Sequence, residues 1–331
     1  MPDVSLTLAV TLVLVLAAEF VNGWTDAPNA IATVVSTRVL SPGWAVLMAA
    51  VLNIVGALTT GTAVATTIGE GIVKPGFISL PVVAAAMLTI LVWSGITWYY
   101  AIPSSKSHEL IAGLTGASLA SAGQSVLLWS GWRKVLIGLG FSTILGFSFG
   151  MIIMGLLYWL LRHTRLSSIR NAFSRLQIVS SAFMAFSHGS NDGQKFMGVF
   201  SLALVLGGAV AKFHVSWIVM LICGSVMGLG TITGGWRIMR TLGFRLTRLE
   251  PVNGFAAETS GGLAILLASH FGIPLSTTHC ITTSIMGVGA SRRFSAVRWG
   301  MAGRIVLTWI ITFPVCGVMG YLFSWLLKTI F

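Results

Sequence analysis

Two aspartates, Asp26 and Asp192, each lie between long apolar stretches of the sequence. A carboxylate at the depth of a membrane is costly unless another group compensates it. The polar segments around them, 22–29 and 188–195, are predicted to interrupt helices, and the carbonyl oxygens freed there could coordinate a hard cation such as Na⁺. The alternative is that each aspartate only caps a second half-helix. The candidate cation ligands are Asp26, Asn29, Asp192 and Asn191.

A second pair of motifs places hydroxyl side chains directly after a proline, at 102–108 and 273–279. Proline suits the start of a helix and disfavours helix in the residue before it, so each motif predicts a helix N-terminus. Such an end exposes free backbone N–H groups and a partial positive charge, which can bind an oxyanion. The alternative is that the hydroxyls only cap ordinary helices. The candidate oxyanion ligands here are Ser104, Ser105, Ser107, Ser276, Thr277 and Thr278.

Both pairs of motifs recur in the same order along the chain. Asp26 and Asp192 are 166 residues apart, and Pro103 and Pro274 are 171 residues apart. Two ordered matches at nearly equal offsets indicate an internal repeat.

Charged residues make up only 8% of the 331 residues, and hydrophobic residues make up 55%. An average soluble domain has about 25% charged residues, so we predict an all-α integral membrane protein. The net charge of +12 comes from basic residues in short loops, as the positive-inside rule predicts, so no nucleic-acid partner is implied. The three cysteines are isolated and fit neither a metal site nor a disulfide framework.

Ten membrane crossings are predicted, at 5–37, 44–68, 81–101, 104–122, 134–161, 176–209, 216–236, 252–271, 274–290 and 301–328. Three arginine clusters, at 162–175, 237–248 and 292–298, then lie in the cytoplasm if both termini lie outside. Only Arg133 and Lys134 disagree with this orientation.

The chain divides into a first transmembrane repeat (1–161), a basic cytoplasmic linker (162–175) and a second repeat (176–331). Each half holds five crossings, an odd number, so the second half must enter from the opposite face. We therefore predict two inverted-topology repeats with discontinuous helices and about 10–12 transmembrane segments. Inversion would direct the two hydroxyl-bearing N-termini at one point near the midplane.

Five motifs resemble those of the inorganic phosphate transporter (PiT) family, particularly its short bacterial members. They are NGWTDAPNAIATVVSTR, IPSSKSH, FSHGSNDGQK, GGWRIMRT and GIPLSTTH, and they span nearly the whole chain. The resemblance implies import of inorganic phosphate across the inner (cytoplasmic) membrane by symport with Na⁺ or H⁺. It also implies that the aspartate motifs serve the coupling ion and the hydroxyl motifs serve phosphate. Some bacterial relatives carry a neutral metal–phosphate complex, so Mg²⁺ is a candidate co-transported ion, and no cofactor is expected.

Two departures from the repeat bear on coupling. Lys195 stands where the first half has Asn29. In the family that the chain resembles, sodium-coupled members have asparagine at both positions. Lys195 therefore favours H⁺ coupling, and its ammonium is also a candidate phosphate ligand; the alternative is a structural counter-charge for Asp192. Lys106 and Glu109 lie three residues apart on one predicted helix and are expected to pair, which leaves Lys106 outside the predicted phosphate ligands.

Two further carboxyl groups and two histidines interrupt apolar or motif positions. Glu258 and Glu19 are candidate proton carriers, because a buried carboxyl group can exchange a proton near neutral pH. The alternative for both is a hydrogen bond between packed helices. His108 and His279 follow the hydroxyl motifs and are predicted to fix the half-helices by hydrogen bonding, and no metal site is assigned to them.

The runner-up function is transport of a related oxyanion such as sulfate on the same scaffold. A membrane enzyme would need a group that orients each histidine, and Glu109 follows His108 whereas Cys280 follows His279, so we predict that the chain is not an enzyme. A passive anion channel is disfavoured by ionisable residues at membrane depth in both halves. Phosphate and membrane lipid are the expected partners, and a second copy of the chain is a candidate partner.

Overall fold

A computed structural model describes residues 5–330, and within that range the chain is helical, with no β-strand. Residues 1–4 and 331, which the sequence assigned to the two repeats, lie outside the described residues. The helices are α1 (Leu6–Ser36), α2 (Pro42–Thr59), α3 (Ala63–Gly71), α4 (Leu80–Tyr99), α5 (Lys106–Ala122), α6 (Trp129–Leu161), α7 (Leu166–Leu206), α8 (Trp217–Thr233), α9 (Trp236–Arg240), α10 (Pro251–His270), α11 (Thr277–Arg292) and α12 (Trp299–Ile330).

The length and composition of these helices are those of a multi-pass membrane protein. Of the described helices, α1, α2, α4, α6 and α12 are each long and apolar enough to cross a membrane. The pair Trp217–Thr233 and Trp236–Arg245, bent by 62°, passes the same test as one broken span. Large apolar side chains such as Ile144, Trp159 and Trp325 point outward, as they do where a helix faces lipid.

The order of elements repeats along the chain. Helices α4 and α10 each contain 20 residues, and their first residues, like their last, are 171 positions apart. Helices α5 and α11 follow them, then a short 3₁₀ turn, and then the long helices α6 and α12. The sequence repeat is therefore also a repeat of structural elements.

The two equivalent helices α1 and α7 run antiparallel. Near the start of α1, Leu8 packs against Gly207, which directly follows α7. Further along α1, the carbonyl of Ala30 accepts a hydrogen bond from Ser181 (3.2 Å). Thr37, which follows α1, donates to Gln177 near the other end of α7 (2.8 Å). Equivalent helices thus point in opposite directions.

The interruptions predicted near 22–29 and 188–195 are wrong, because both segments are helical within α1 and α7. Pro28 lies inside α1 and removes only one backbone donor from it. The glycines of these segments allow neighbouring helices to approach closely, and they do not break the helices that contain them. A Cβ atom on Gly23 would lie 2.1 Å from the carbonyl oxygen of Met227, and one on Gly189 would lie 2.1 Å from that of Asn53. Small residues of this kind let helices approach closely in membranes.

The breaks occur elsewhere in the chain. The predicted span 44–68 divides at Thr60–Thr62, where Gly61 adopts a positive φ of 85° between α2 and α3. The predicted linker 162–175 is helical from Leu166, where α7 begins.

Two helical hairpins, α4–α5 and α10–α11, turn inside the molecule. In the first, Ser94 on α4 donates to Glu109 on α5 (2.6 Å), and the hydroxyls of Thr97 and Ser104 are hydrogen-bonded (2.9 Å). Helices α5 and α11 contain 17 and 16 residues, at or just below the lower end of the range of about 17–25 residues found for a full crossing, and each begins at the buried tip of its hairpin. The spans predicted at 104–122 and 274–290 are thus the returning legs of hairpins.

The hairpins open toward opposite ends of α12. The last turn of α5 contacts the end of α12, where Lys328 donates to the carbonyl oxygen of Ser121 (3.0 Å). Helix α11, by contrast, ends at Arg292, a few residues before α12 begins at Trp299. The tips therefore meet in the interior from opposite directions.

Candidate substrate and ion site

The tips of the two hairpins meet through their N-cap serines. Ser276 donates a hydrogen bond to Ser105 (2.8 Å), so the first residues of α5 and α11 lie side by side. Each serine also caps its own helix, with Ser105 accepting from the N–H of His108 and Ser276 from that of His279. Two helix N-termini, with their partial positive charges, thus meet at one buried point.

Reciprocal hydrogen bonds hold the tips together. The hydroxyl of Ser107 donates to the carbonyl oxygen of Leu275 (2.9 Å), and that of Thr278 donates to the carbonyl oxygen of Ser104 (3.1 Å). Ser107 and Thr278 are equivalent in the repeat, and so are Ser104 and Leu275. The junction therefore has approximate two-fold symmetry.

Asp26 of α1 lies against this junction. Its carboxylate accepts a hydrogen bond from Thr278 (2.8 Å), and Asn29, one turn further along α1, also donates to Thr278 (2.9 Å). The ammonium of Lys106 lies 3.6 Å from the same carboxylate. The first-half aspartate is thus joined to the second-half hairpin.

Asp192 of α7 lies against the same tip of the second hairpin, at the residue before Thr278. Its carboxylate forms an ion pair with Lys195 (2.5 Å) and accepts a hydrogen bond from Thr277 (3.1 Å). The ammonium of Lys195 also donates to the carbonyl oxygen of Leu275 (2.9 Å). Lys195 therefore links α7 directly to the second hairpin tip.

Asp26, His188 and Asp192 could together hold a metal ion, since one ligand atom from each lies within 4.8 Å of the others. His188 Nδ1 contacts the side-chain oxygen of Asn53 (3.1 Å), which leaves Nε2 facing Asp192 at 3.6 Å. Lys106 and Lys195 already neutralise part of the charge that a metal would neutralise. The donor set fits a cation, but two ammonium groups compete for it.

Glu109 completes the buried charges at the site. It accepts hydrogen bonds from Ser94 and Ser104 (2.6 Å each) and forms an ion pair with Lys106 (3.0 Å). The predicted pairing of Lys106 with Glu109 is therefore observed. The site holds three carboxylates and two ammonium groups, all buried.

Other predicted residues lie away from the junction. Asn191 turns toward the end of α10, where it donates to Ser269 (2.9 Å) and to the carbonyl oxygen of Ile273 (3.3 Å), not to the hydroxyl residues of the tip. Glu258 accepts hydrogen bonds from Thr33, Ser180 and Gln177, so it joins α10 to α1 and α7. Thr33 is seven residues after Asp26, about 10 Å along the same face of α1.

Glu19 occupies the same face of α1 as Asp26, seven residues before it. It accepts a hydrogen bond from Asn22 (3.0 Å), and among the described residues its second oxygen has no hydrogen-bond partner. Glu19 and Glu258 therefore flank the site along α1.

The hydrogen-bonding role predicted for the two histidine side chains is wrong for the ring of His279. Their rings pack edge to face at 4.5 Å, and His279 also stacks on Trp309 at 3.7 Å. Within the part of the chain that the structure describes, His108 Nδ1 and both ring nitrogens of His279 have no hydrogen-bond partner. These rings stabilise the tips by packing.

Sequence reasoning missed Asn53 and Ser94, which hold His188 and Glu109 in place. Asn53 is the one amide side chain of the apolar helix α2, Ser94 is one of three buried hydroxyl residues in the apolar helix α4, and both are fully buried. That pattern is the signal that could have identified them, because buried polar groups in a membrane helix need a partner.

A bundle of apolar helices around a buried, charged site, with two helix N-termini aimed at its centre, defines a membrane transporter. A model of the phosphate transporter family matches residues 22–320. A probable low-affinity inorganic phosphate transporter of Rhizobium meliloti (strain 1021) is 43% identical over 92% of this chain and 91% of its own length. A protein of the same description from Bacillus subtilis (strain 168) is 41% identical over 99% of this chain and 100% of its own length.

The chain belongs to the phosphate transporter family, whose members are transporters and not enzymes. A solved structure titled "The sodium-dependent phosphate transporter" has the same fold, with a TM-score of 0.88 over 99% of this chain and 100% of that one. Its sequence identity is 22%, so this similarity concerns the fold alone.

Proposed function

We propose that the protein is a symporter that imports inorganic phosphate across the cytoplasmic membrane, with H⁺ as the favoured coupling ion. The observation that carries the proposal is the Ser105–Ser276 contact, where two helix N-termini meet beside Asp26 and Asp192. A tetrahedral anion needs donors from several directions, and two facing N-termini supply them. Membership of the phosphate transporter family supports phosphate as the anion.

Phosphate binds between the hairpin tips. The proposed ligands are the hydroxyls and N–H groups of the two caps and the ammonium of Lys195. Ser107 and Thr278 at present donate to carbonyl oxygens of the opposite tip, and Ser105 and Ser276 bond each other. Phosphate would exchange these contacts for its own oxygens, so the tips must separate to admit it. The proposed ligands are Ser104, Ser105, Ser107, Ser276, Thr277, Thr278 and Lys195.

Proton coupling is supported by the lysine ammonium group that pairs with each aspartate. A Na⁺ bound at Asp26 or Asp192 would have to displace Lys106 or Lys195. Glu258 and Glu19 are the proposed proton carriers on either side of Asp26. Coupling to Na⁺ through Asp26, Asn29, Asp192 and Asn191 is the alternative.

One feature of the site, a cluster of metal-binding side chains, favours a second form of the transported substrate. Asp26, His188 and Asp192 bring three metal-binding groups together beside the phosphate site, so a metal–phosphate complex, for example with Mg²⁺, is the alternative cargo. A related oxyanion such as sulfate remains the alternative substrate.

The proposed topology has inverted repeats, basic loops in the cytoplasm and both termini outside. The antiparallel course of α1 and α7 and the opposite directions of the two hairpins support the inversion. Lipid surrounds the apolar outer faces, and a homodimer is the proposed assembly.

Uptake of radiolabelled phosphate into proteoliposomes, with separately imposed H⁺, Na⁺ and Mg²⁺ gradients, tests the function. We expect uptake driven by an inward proton gradient and competed poorly by sulfate. An absence of uptake under every gradient would refute the proposal.

The substitution Lys195→Asn, which copies Asn29, tests the coupling ion. We expect it to weaken H⁺-driven uptake and to introduce a response to Na⁺, because it frees the Asp192 carboxylate from its ammonium partner. Uptake is measured under separate Na⁺ and pH gradients. Unchanged H⁺ dependence in the variant would contradict the role of Lys195.

A further inference from the structure

Lys106, the first residue of α5, is fully buried, and its ammonium is surrounded by oxygen atoms. The ammonium lies 3.0 Å from the Glu109 carboxylate, 3.6 Å from that of Asp26 and 3.5 Å from the Ser104 hydroxyl. These are the types of group, carboxylate and hydroxyl oxygens, that bind a small hard cation.

Glu109 is held independently of the lysine. Ser94 donates to one of its oxygens and Ser104 to the other, each at 2.6 Å. A buried ammonium is tolerated only with such fixed partners. Glu109 is therefore a positioning residue that keeps Lys106 next to Asp26.

The repeat reveals what Lys106 replaces. Its equivalent in the second half is Thr277, which contacts Asp192 as Lys106 contacts Asp26. The ammonium on Asp192 comes instead from Lys195, whose first-half equivalent is Asn29. Each aspartate thus has one ammonium partner, but the two lysines occupy non-equivalent positions. Repetition of sequence cannot explain that outcome, whereas a shared need for one cation at each aspartate can.

We propose that Lys106 is a specificity-determining residue, a tethered cation that occupies the first-half cation position at Asp26 and excludes Na⁺ from it. This inference rests on the proposed symport, because it concerns which ions accompany phosphate. Lys106 is shared by two carboxylates, whereas Lys195 pairs with one carboxylate and a carbonyl oxygen. Lys106 therefore acts on the coupling ion alone, whereas Lys195 pairs with Asp192 and is also available to the anion.

The substitution Lys106→Thr, which copies Thr277, vacates the position. We expect the purified variant to gain thermal stability in NaCl relative to KCl of equal ionic strength, with Tm rising by roughly 2–4 °C at saturating Na⁺. We also expect Na⁺ to stimulate its phosphate uptake in proteoliposomes, whereas the wild-type protein responds in neither assay. Lys106→Arg retains the charge and should remain insensitive to Na⁺.

Two variants guard against trivial results. Lys106→Thr leaves Glu109 without its ion-pair partner, so Lys106→Thr/Glu109→Gln removes the unpaired charge while Asp26 stays available, and it should also respond to Na⁺. Lys134→Thr, at an exposed position of α6, is the matched control and should behave as wild type.

The proposal is overturned if folded Lys106 variants show no Na⁺ response, or if wild type responds as strongly as they do. A raised KM for phosphate without any Na⁺ effect would make Lys106 a phosphate ligand instead. If no form of the protein takes up phosphate, the symport proposal fails. The Tm series would still report whether Na⁺ binds at Asp26.

Discussion

At the scale of single residues, the site is a cluster of buried charges that compensate one another. Asp26, Asp192 and Glu109 each contact an ammonium or several hydroxyl donors. Removing one member of such a cluster leaves an unpaired charge in a low-dielectric interior, which is far more costly than the loss of one contact. A charged group of this cluster can therefore exchange its partner for a proton, a cation or phosphate, but it cannot be left without a partner.

The N-cap serines provide the most direct test of anion binding. Ser105→Ala and Ser276→Ala each remove a hydroxyl at the junction and a helix cap worth about 1 kcal/mol. We expect KM for phosphate to rise by roughly tenfold, because hydrogen bonds to a charged ligand are strong. The measurement is the concentration dependence of uptake in proteoliposomes.

Ser174→Ala is the control for the cap variants, since the hydroxyl of Ser174 only donates to the carbonyl of Arg170 at the exposed start of α7. Its KM should match that of wild type. If KM for phosphate in Ser105→Ala and Ser276→Ala also equals that of wild type, the cap hydroxyls are excluded as phosphate ligands.

At the scale of elements, glycines bring each hairpin against a long helix. A Cβ atom on Gly116 of α5 would lie 1.9 Å from the carbonyl oxygen of Gly317 on α12. One on Gly287 of α11 would lie 2.1 Å from that of Phe147 on α6. Gly116 and Gly287 are equivalent in the repeat, so both hairpins are positioned by the same type of contact.

We expect Gly116→Ala and Gly287→Ala each to destabilise the protein by about 2 kcal/mol, because the added methyl group forces the helices apart. Thermal unfolding in detergent measures the effect as a lower Tm. Gly140→Ala, where no heavy atom lies within 4 Å of the added carbon, should leave Tm unchanged or raise it slightly. A Tm equal to wild type in the first two variants would show that the helices yield without cost.

At the scale of the whole molecule, the hairpins change the count of crossings but not its parity. Treating α4–α5 and α10–α11 as an entry and a return removes two crossings from each half, so the predicted five become three. Three is also odd, so the proposal that the second half enters from the opposite face is unchanged. The inference of inverted repeats therefore does not depend on the original count.

Single cysteines on either side of α7 test the orientation. Thr164 precedes this 41-residue helix and Ala209 follows it, and both are exposed. We expect a membrane-impermeant maleimide to label Ala209→Cys in intact cells and Thr164→Cys only after permeabilisation. The native Cys223, Cys280 and Cys316 are buried, so their labelling should be low. The reverse pattern would invert the proposed topology.

The sequence by itself determined the class, the repeat and the motifs. Low charge content and long apolar segments require a membrane environment, and the paired Asp26/Asp192 and Pro103/Pro274 motifs define equivalent positions. Prolines followed by hydroxyl residues predicted the helix N-termini at Ser105 and Ser276, because that signal is local to the backbone. The family followed from the same motifs, and the comparisons confirmed it.

Only the tertiary structure decided where helices break and which charges meet. The glycines near Asp26 and Asp192 led to the prediction of helix interruptions, but these glycines instead allow close packing against other helices. Packing partners that are distant in sequence cannot be read from local composition. The contact of Lys106 with Asp26 joins α5 to α1, and that of Thr278 with Asp26 joins the two halves. Such long-range contacts depend on how whole helices cross, so the partners of each buried charge emerge only from the folded molecule.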